Sequence, residues 1–131
     1  MNRINAIVLT SFLMLTSCAD EGLPNVCDDS SFIGEWRWEK TAGFTGQMLT
    51  PKNTGEERRL EISDLTWKEY LNDTLVLDRQ YSFTPDSTSL FYNGLIEFED
   101  STRIFVTLKN CSLRVESIFF DTPIAYYVRT E

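Results

Sequence analysis

From Phe32 onward, apolar and polar residues alternate with a period of two, the pattern of strands whose side chains point to opposite faces. In FIGEWRWEK, Phe32 to Lys40, the residues Phe32, Gly34, Trp36 and Trp38 fall on one face and Ile33, Glu35, Arg37 and Glu39 on the other. The same alternation predicts strands over Arg58 to Ser63, with Leu60 and Ile62 inward, over Thr66 to Leu71, and over Leu75 to Phe83, with Leu75, Leu77, Tyr81 and Phe83 aligned. Further runs cover Ser89 to Tyr92, Leu95 to Glu99, Arg103 to Lys109 with Ile104, Val106 and Leu108 aligned, Ser112 to Ile118, and Ile124 to Arg129. A rival reading makes Ser63 to Leu71 a helix capped by Ser63 or Asp64, with Leu65, Lys68 and Leu71 spaced at three.

The breaks between runs carry turn residues: Asn72-Asp73, Pro85-Asp86-Ser87, Asn93-Gly94, Asp100-Ser101 and Lys109-Asn110. Asn93-Gly94 suits a two-residue hairpin, because both residues accept positive φ angles. Connections this short make sequential strands antiparallel neighbours. The expected fold is therefore all-β, a single antiparallel up-and-down β-barrel of about eight or nine strands.

The chain before Phe32 follows a different pattern. Met1 to Arg3 carries one positive charge and Ile4 to Leu15 is an apolar run, too short for a spanning helix of about 20 residues but suited to an export signal. Leu15-Thr16-Ser17-Cys18 resembles the lipobox of bacterial lipoproteins. That resemblance implies cleavage before Cys18, lipidation of its thiol and a membrane partner reached through the lipid anchor. Ala19-Asp20-Glu21 is similar to the surface-export tag of some Bacteroidetes lipoproteins, which favours the outer membrane and leaves its face open. The expected organisation is a signal peptide at 1–17, a lipidated linker at 18–31 and a barrel domain at 32–131. With Cys18 used by lipid, Cys27 and Cys111 remain as an even pair in an oxidising compartment. They are expected to form a disulfide, with two reduced thiols as the alternative.

Composition removes several functions. The formal charge is −8, with 20 acidic against 12 basic residues, and no cluster of Lys and Arg offers the basic stripe that nucleic acid requires. The absence of histidine excludes Ser-His-Asp and Cys-His catalysis and every His-ligated metal site. The glycines Gly22, Gly34, Gly43, Gly46, Gly55 and Gly94 are scattered and form no phosphate-binding loop. No catalytic residue, metal ligand or cofactor is predicted, and the chain is read as a non-enzyme.

Gly34-Glu35-Trp36 matches the Gly-x-Trp motif on the first strand of lipocalins. Together with GEWRWEKTAGF, TPKNTG, RLEIS and the terminal YYVR, it makes the chain resemble the lipocalin-like domains of Bacteroidetes lipoproteins. The resemblance implies barrel closure by Gly34, Trp36 and Arg129, with the arginine over the tryptophan. It also implies that 43–55, GFTGQMLTPKNTG, is a loop over an open mouth. Trp38, Phe44, Met48, Leu49, Tyr81, Tyr92 and Tyr127 are the candidate contacts there for a small apolar or amphipathic ligand. A filled barrel that contacts a protein or a glycan is the alternative.

Overall fold

The structure, a computed structural model, describes residues 29–43, 45–90, 92–119 and 122–130. The expected signal peptide, Cys18, Cys27 and Phe44 lie outside the described residues. In chain order the elements are β1 (Gly34–Ala42), β2 (Met48–Leu49), α1 (Pro51–Thr54), β3 (Arg58–Ile62), β4 (Thr66–Leu71), β5 (Thr74–Pro85), β6 (Tyr92–Phe98), β7 (Arg103–Lys109), β8 (Ser112–Ser117) and β9 (Ile124–Arg129). All strand pairings are antiparallel and follow chain order from β3 to β9, and pairing of β9 with β1 closes an eight-stranded barrel. The short β2 adds to the free edge of β1 where β3 has turned away.

Period-two alternation is what drives closure. Trp36, Trp38, Leu60, Ile62, Trp67, Ile96, Phe98, Val106, Leu108, Leu113 and Tyr127 are all buried and form one core, while their strand neighbours face solvent. A sheet with one apolar face removes it from water by curling on itself, which also pairs the two edges that would otherwise stay open. The stagger that closure demands falls on β5, whose 12 residues exceed every other strand. Its first part, Thr74 to Gln80, pairs with β4, and its last part, Tyr81 to Pro85, pairs with β6.

Thr66 to Leu71 is the strand β4, and the rival helix is not formed. The two-residue turn at Asn72 and Asp73 has φ of 48° and 63°, the left-handed geometry that Asn and Asp tolerate in hairpins. Asp86 and Asp100 each accept hydrogen bonds from the threonine two residues on, Thr88 and Thr102. Those bonds, side chain first and backbone second, lower the pKa of both carboxyls.

Four local expectations are corrected. Asn93-Gly94 is not a hairpin turn: both residues lie within β6, which runs unbroken from Tyr92 to Phe98, and the strand expected over Ser89 to Tyr92 is not formed at Ser89 and Leu90. The glycine answers a packing need, because a Cβ there would sit 2.3 Å from the Thr84 carbonyl and 2.5 Å from the Phe83 ring. Leu75 does not share the inward face. The β4–β5 register slips so that Glu69 pairs with Leu77 and Tyr70 with Leu75, leaving Val76 as an extra residue that reverses the alternation. Leu75 and Val76 are consequently exposed. The turn placed at Lys109-Asn110 falls one residue later, at Asn110 and Cys111, with φ of 50° and 64°. Finally, 43–55 is not featureless. It contains β2 and α1, whose capping box joins Thr50 and Asn53 and whose final turn ends on Gly55 at φ 71°.

Candidate functional site

The barrel has two unlike ends. At the first end the chain arrives through residues 29–33, and the 63–65, 86–90 and 110–111 connections gather around it. Phe32 enters the core there and packs against Phe83 at 4.7 Å, Tyr92 at 5.8 Å and Tyr81 at 6.1 Å between ring centroids. Trp36 donates from its indole nitrogen to the Phe32 carbonyl at 2.8 Å. Arg129, paired with Trp36 across the β1–β9 seam, holds its guanidinium 4.5 Å from the Trp36 ring. It also donates to the carbonyls of Ser31 and Ile33. Gly34 fits beneath: its φ is 141° and a Cβ would approach Arg129 Nη1 to 3.3 Å. Asp29 completes the fastening by accepting from the backbone N–H of Asn110 at 2.6 Å and of Cys111 at 3.0 Å.

The interior behind this plug is packed. Trp36, Ile96 and Leu113 are 0% exposed, and Trp38, Trp67, Leu60, Val106 and Leu108 are each 1% exposed. Desolvation pushes the Tyr127 phenol well above its ordinary range, with the Glu69 carboxylate adding to the effect. At the plugged end burial, then Asp64 and Tyr92, push Tyr81 up to about 12, while its hydroxyl donates to the Ser63 carbonyl at 2.6 Å.

Toward the second end the inward face turns polar. Trp38 donates to Thr41 Oγ1 at 2.9 Å, which a bulge between Trp38 and Lys40 turns inward. Arg58 lies 4.7 Å above the Trp38 ring and pairs with Glu56. Trp67 donates to Glu69 at 2.8 Å.

The candidate contacts are therefore not assembled at one place. Trp38 and Tyr127 are cross-strand partners deep in the packed interior. Tyr81 and Tyr92 belong to the aromatic cluster at the opposite, plugged end. Met48 and Leu49 form β2, with Met48 exposed and Leu49 packed on the core.

A cavity of about 610 Å³ lies elsewhere, on the outer wall where β3 parts from β1 and α1 stands beside the gap. Outward-facing Arg37, Glu39, Arg59 and Val128 line it together with Pro51, Glu57, Asp73 and Thr130, and Trp38 and Arg58 reach it from the parting of the strands. Arg37 and Arg59 stand directly opposite each other across the β1–β3 ladder. Arg59 has loose carboxylate neighbours, Glu61 at 3.6 Å and Glu35 at 3.9 Å, and stacks 4.0 Å over Tyr70. Arg37 makes no hydrogen bond or ion pair among the described residues. Among the described residues the Thr130 hydroxyl is buried without a partner. Sequence reasoning missed this site. Its one advance signal was the Arg58-Arg59 pair, whose meaning depends on the strand register.

Among the described residues no group of three or more His, Cys, Asp and Glu is placed to hold a metal ion. Compared with known proteins, the chain matches no family model, no curated protein and no solved structure.

Proposed function

We propose that the chain is a non-catalytic, lipid-anchored lipoprotein of the bacterial envelope, built on a lipocalin-like barrel that is solid and acts through its outer surface. The observation that carries this reading is the filled interior: three tryptophans, each at most 1% exposed, occupy the space that a ligand-carrying barrel leaves open. A small apolar ligand would have to displace side chains that already satisfy the core.

The anchor reading fits the way the chain reaches the barrel. Residues 29–33 are gripped by Arg129, Trp36 and the 110–111 turn, so a load on a lipid at Cys18 would pass to the β1–β9 seam rather than to a loose loop. The proposed Cys27–Cys111 disulfide is supported by Asp29, which sits two residues after Cys27 and binds the backbone of Cys111.

Two measurements test the proposal. Native mass spectrometry of the full chain taken from its host membrane, beside titration with a fluorescent hydrophobic probe, is expected to show acyl chains on Cys18 and neither a second apolar ligand nor saturable probe binding. A stoichiometric apolar ligand would restore the hollow-barrel reading. Replacing Cys18→Ala is expected to move the protein out of the membrane fraction, and an unchanged distribution would refute the anchor.

A further inference from the structure

The geometry points to a binding site for a short peptide with free termini in the outer-wall cavity between β1, β3 and α1. This deepens the reading of a solid barrel that works through its surface, and names the ligand class that the surface takes.

The first observation is a broken rule. Like charges directly opposite on a sheet destabilise it, yet Arg37 and Arg59 are register partners on the outer face. The carboxylates nearest Arg59 stand at 3.6 and 3.9 Å, and Arg37 makes no ion pair among the described residues. In a chain of formal charge −8, two facing arginines, of which Arg59 pairs only at 3.6 and 3.9 Å and Arg37 with no carboxylate among the described residues, mark a place for an added anion. Local conflicts of this kind collect at functional sites.

The second observation is the order of charges along the cavity. Arg37, Arg59 and the Thr130 hydroxyl, which has no partner among the described residues, lie toward the plugged end. Glu39, Glu57 and Asp73 lie toward the other end, and none of these three carboxylates is engaged by a hydrogen bond or ion pair among the described residues. The cavity is thus cationic at one end and anionic at the other.

A ligand that complements both ends carries a carboxylate and an ammonium held apart. Arg37 and Glu39, like Arg59 and Glu57, are two residues apart, which is about 7 Å along a strand. An α-amino acid, whose charges share one carbon, is too short. An extended peptide spans about 3.3–3.6 Å per residue, so two or three residues match. Its carboxylate meets the arginines, where a planar guanidinium binds carboxylate in a fork, and its amino group meets Glu57 and Asp73. A volume of about 610 Å³ lies within the range of small-molecule sites.

The experiment is calorimetric titration of the full chain with tri-alanine, N-acetyl-tri-alanine, tri-alanine amide and glycerophosphoethanolamine. Tri-alanine is expected to bind, and each capped form to bind at least tenfold more weakly. Arg37→Gln is expected to weaken tri-alanine at least tenfold and to erase the penalty for amidation. Glu57→Gln is expected to erase the penalty for acetylation, and gives an independent arm should Arg37→Gln not fold. Absence of tri-alanine binding at 10 millimolar, equal binding of all three peptides, or preference for glycerophosphoethanolamine would each overturn the proposal. A chain that binds neither tri-alanine nor a hydrophobic probe refutes the peptide site and leaves the solid barrel standing. One that binds the probe saturably refutes the solid barrel itself.

Discussion

Two arginines in this barrel each lie over a tryptophan of β1: Arg129 over Trp36 at 4.5 Å and Arg58 over Trp38 at 4.7 Å. Both indoles are buried, and they stand two residues apart on one face. The surroundings of the cations differ. Arg129 bridges the seam between first and last strands and also holds the carbonyls of Ser31 and Ile33, so three chain segments depend on it. Arg58 touches Trp38 and an exposed neighbour two residues away, Glu56. A guanidinium over an indole gains about 0.5–2 kcal/mol, depending on how far it is desolvated. What makes one pair structural and the other local is the number of otherwise unmet backbone groups that share the cation.

The largest effect that sharpens this contrast belongs to Trp36→Ala. Removing a fully buried indole is expected to cost about 3–5 kcal/mol, and it also frees the Phe32 carbonyl and the face under Arg129. Chemical denaturation should show the loss together with faster proteolysis of residues 29–33. A stable Trp36→Ala protein with the segment still protected would break the link between plug and seam.

Arg129→Ala is next, at about 2–4 kcal/mol, because charged hydrogen bonds to two carbonyls vanish along with the ring contact. Arg129→Lys should recover only part of this, since an ammonium cannot fork to both carbonyls while covering the ring. Full rescue by lysine would show that charge, not the planar fork, holds the strap.

Gly94→Ala tests a different part of the same end. The added methyl would meet the Thr84 carbonyl and the Phe83 ring, which packs against Phe32 and Tyr92. Overpacking of this kind costs about 1–3 kcal/mol. Equal thermal stability of the variant would mean that the β5–β6 ribbon shifts freely, contrary to a plug packed on Phe83.

That glycine also shows where sequence reading succeeded and where it stopped. Period-two alternation sufficed for an all-β barrel, because burial of one face is a property each strand displays by itself. Trp36 and Arg129 came from the lipocalin resemblance, and the fold sets them against each other. Asn93-Gly94 misled because its turn preference is local, whereas the reason for Gly94 is Phe83 on the neighbouring strand. Leu75 misled for a similar reason, since an extra residue at Val76 reverses the faces without altering composition. The outer-wall cavity was invisible because Arg37 and Arg59 become neighbours only once the β1–β3 register is fixed.

Alkali reaches the plugged end through Tyr81. Its folded pKa is pushed up to about 12 by burial, then Asp64 and Tyr92, against about 10 in the unfolded chain. Below pH 10 both states keep the proton and the group adds no pH dependence. Between pH 10 and 12 the unfolded chain ionises first, so stability falls as pH rises. Tyr81→Phe is expected to flatten this segment of a stability–pH profile while lowering the plateau through loss of the bond to Ser63. An unaltered slope would assign the alkaline loss to other phenols, Tyr127 foremost.

The smallest effect is the one that completes the comparison. Arg58→Ala removes a ring contact and an ion pair that are both open to solvent, and exposed pairs contribute about 0–1 kcal/mol. The expected loss is no more than about 1 kcal/mol, because Trp38 keeps its bond to Thr41 and its place in the core. Thermal unfolding of the Arg58→Ala and Arg129→Ala proteins side by side decides the matter. Equal losses would mean that the contact with the indole alone sets the stability of each pair, and that the backbone carbonyls held by Arg129 add nothing to the seam.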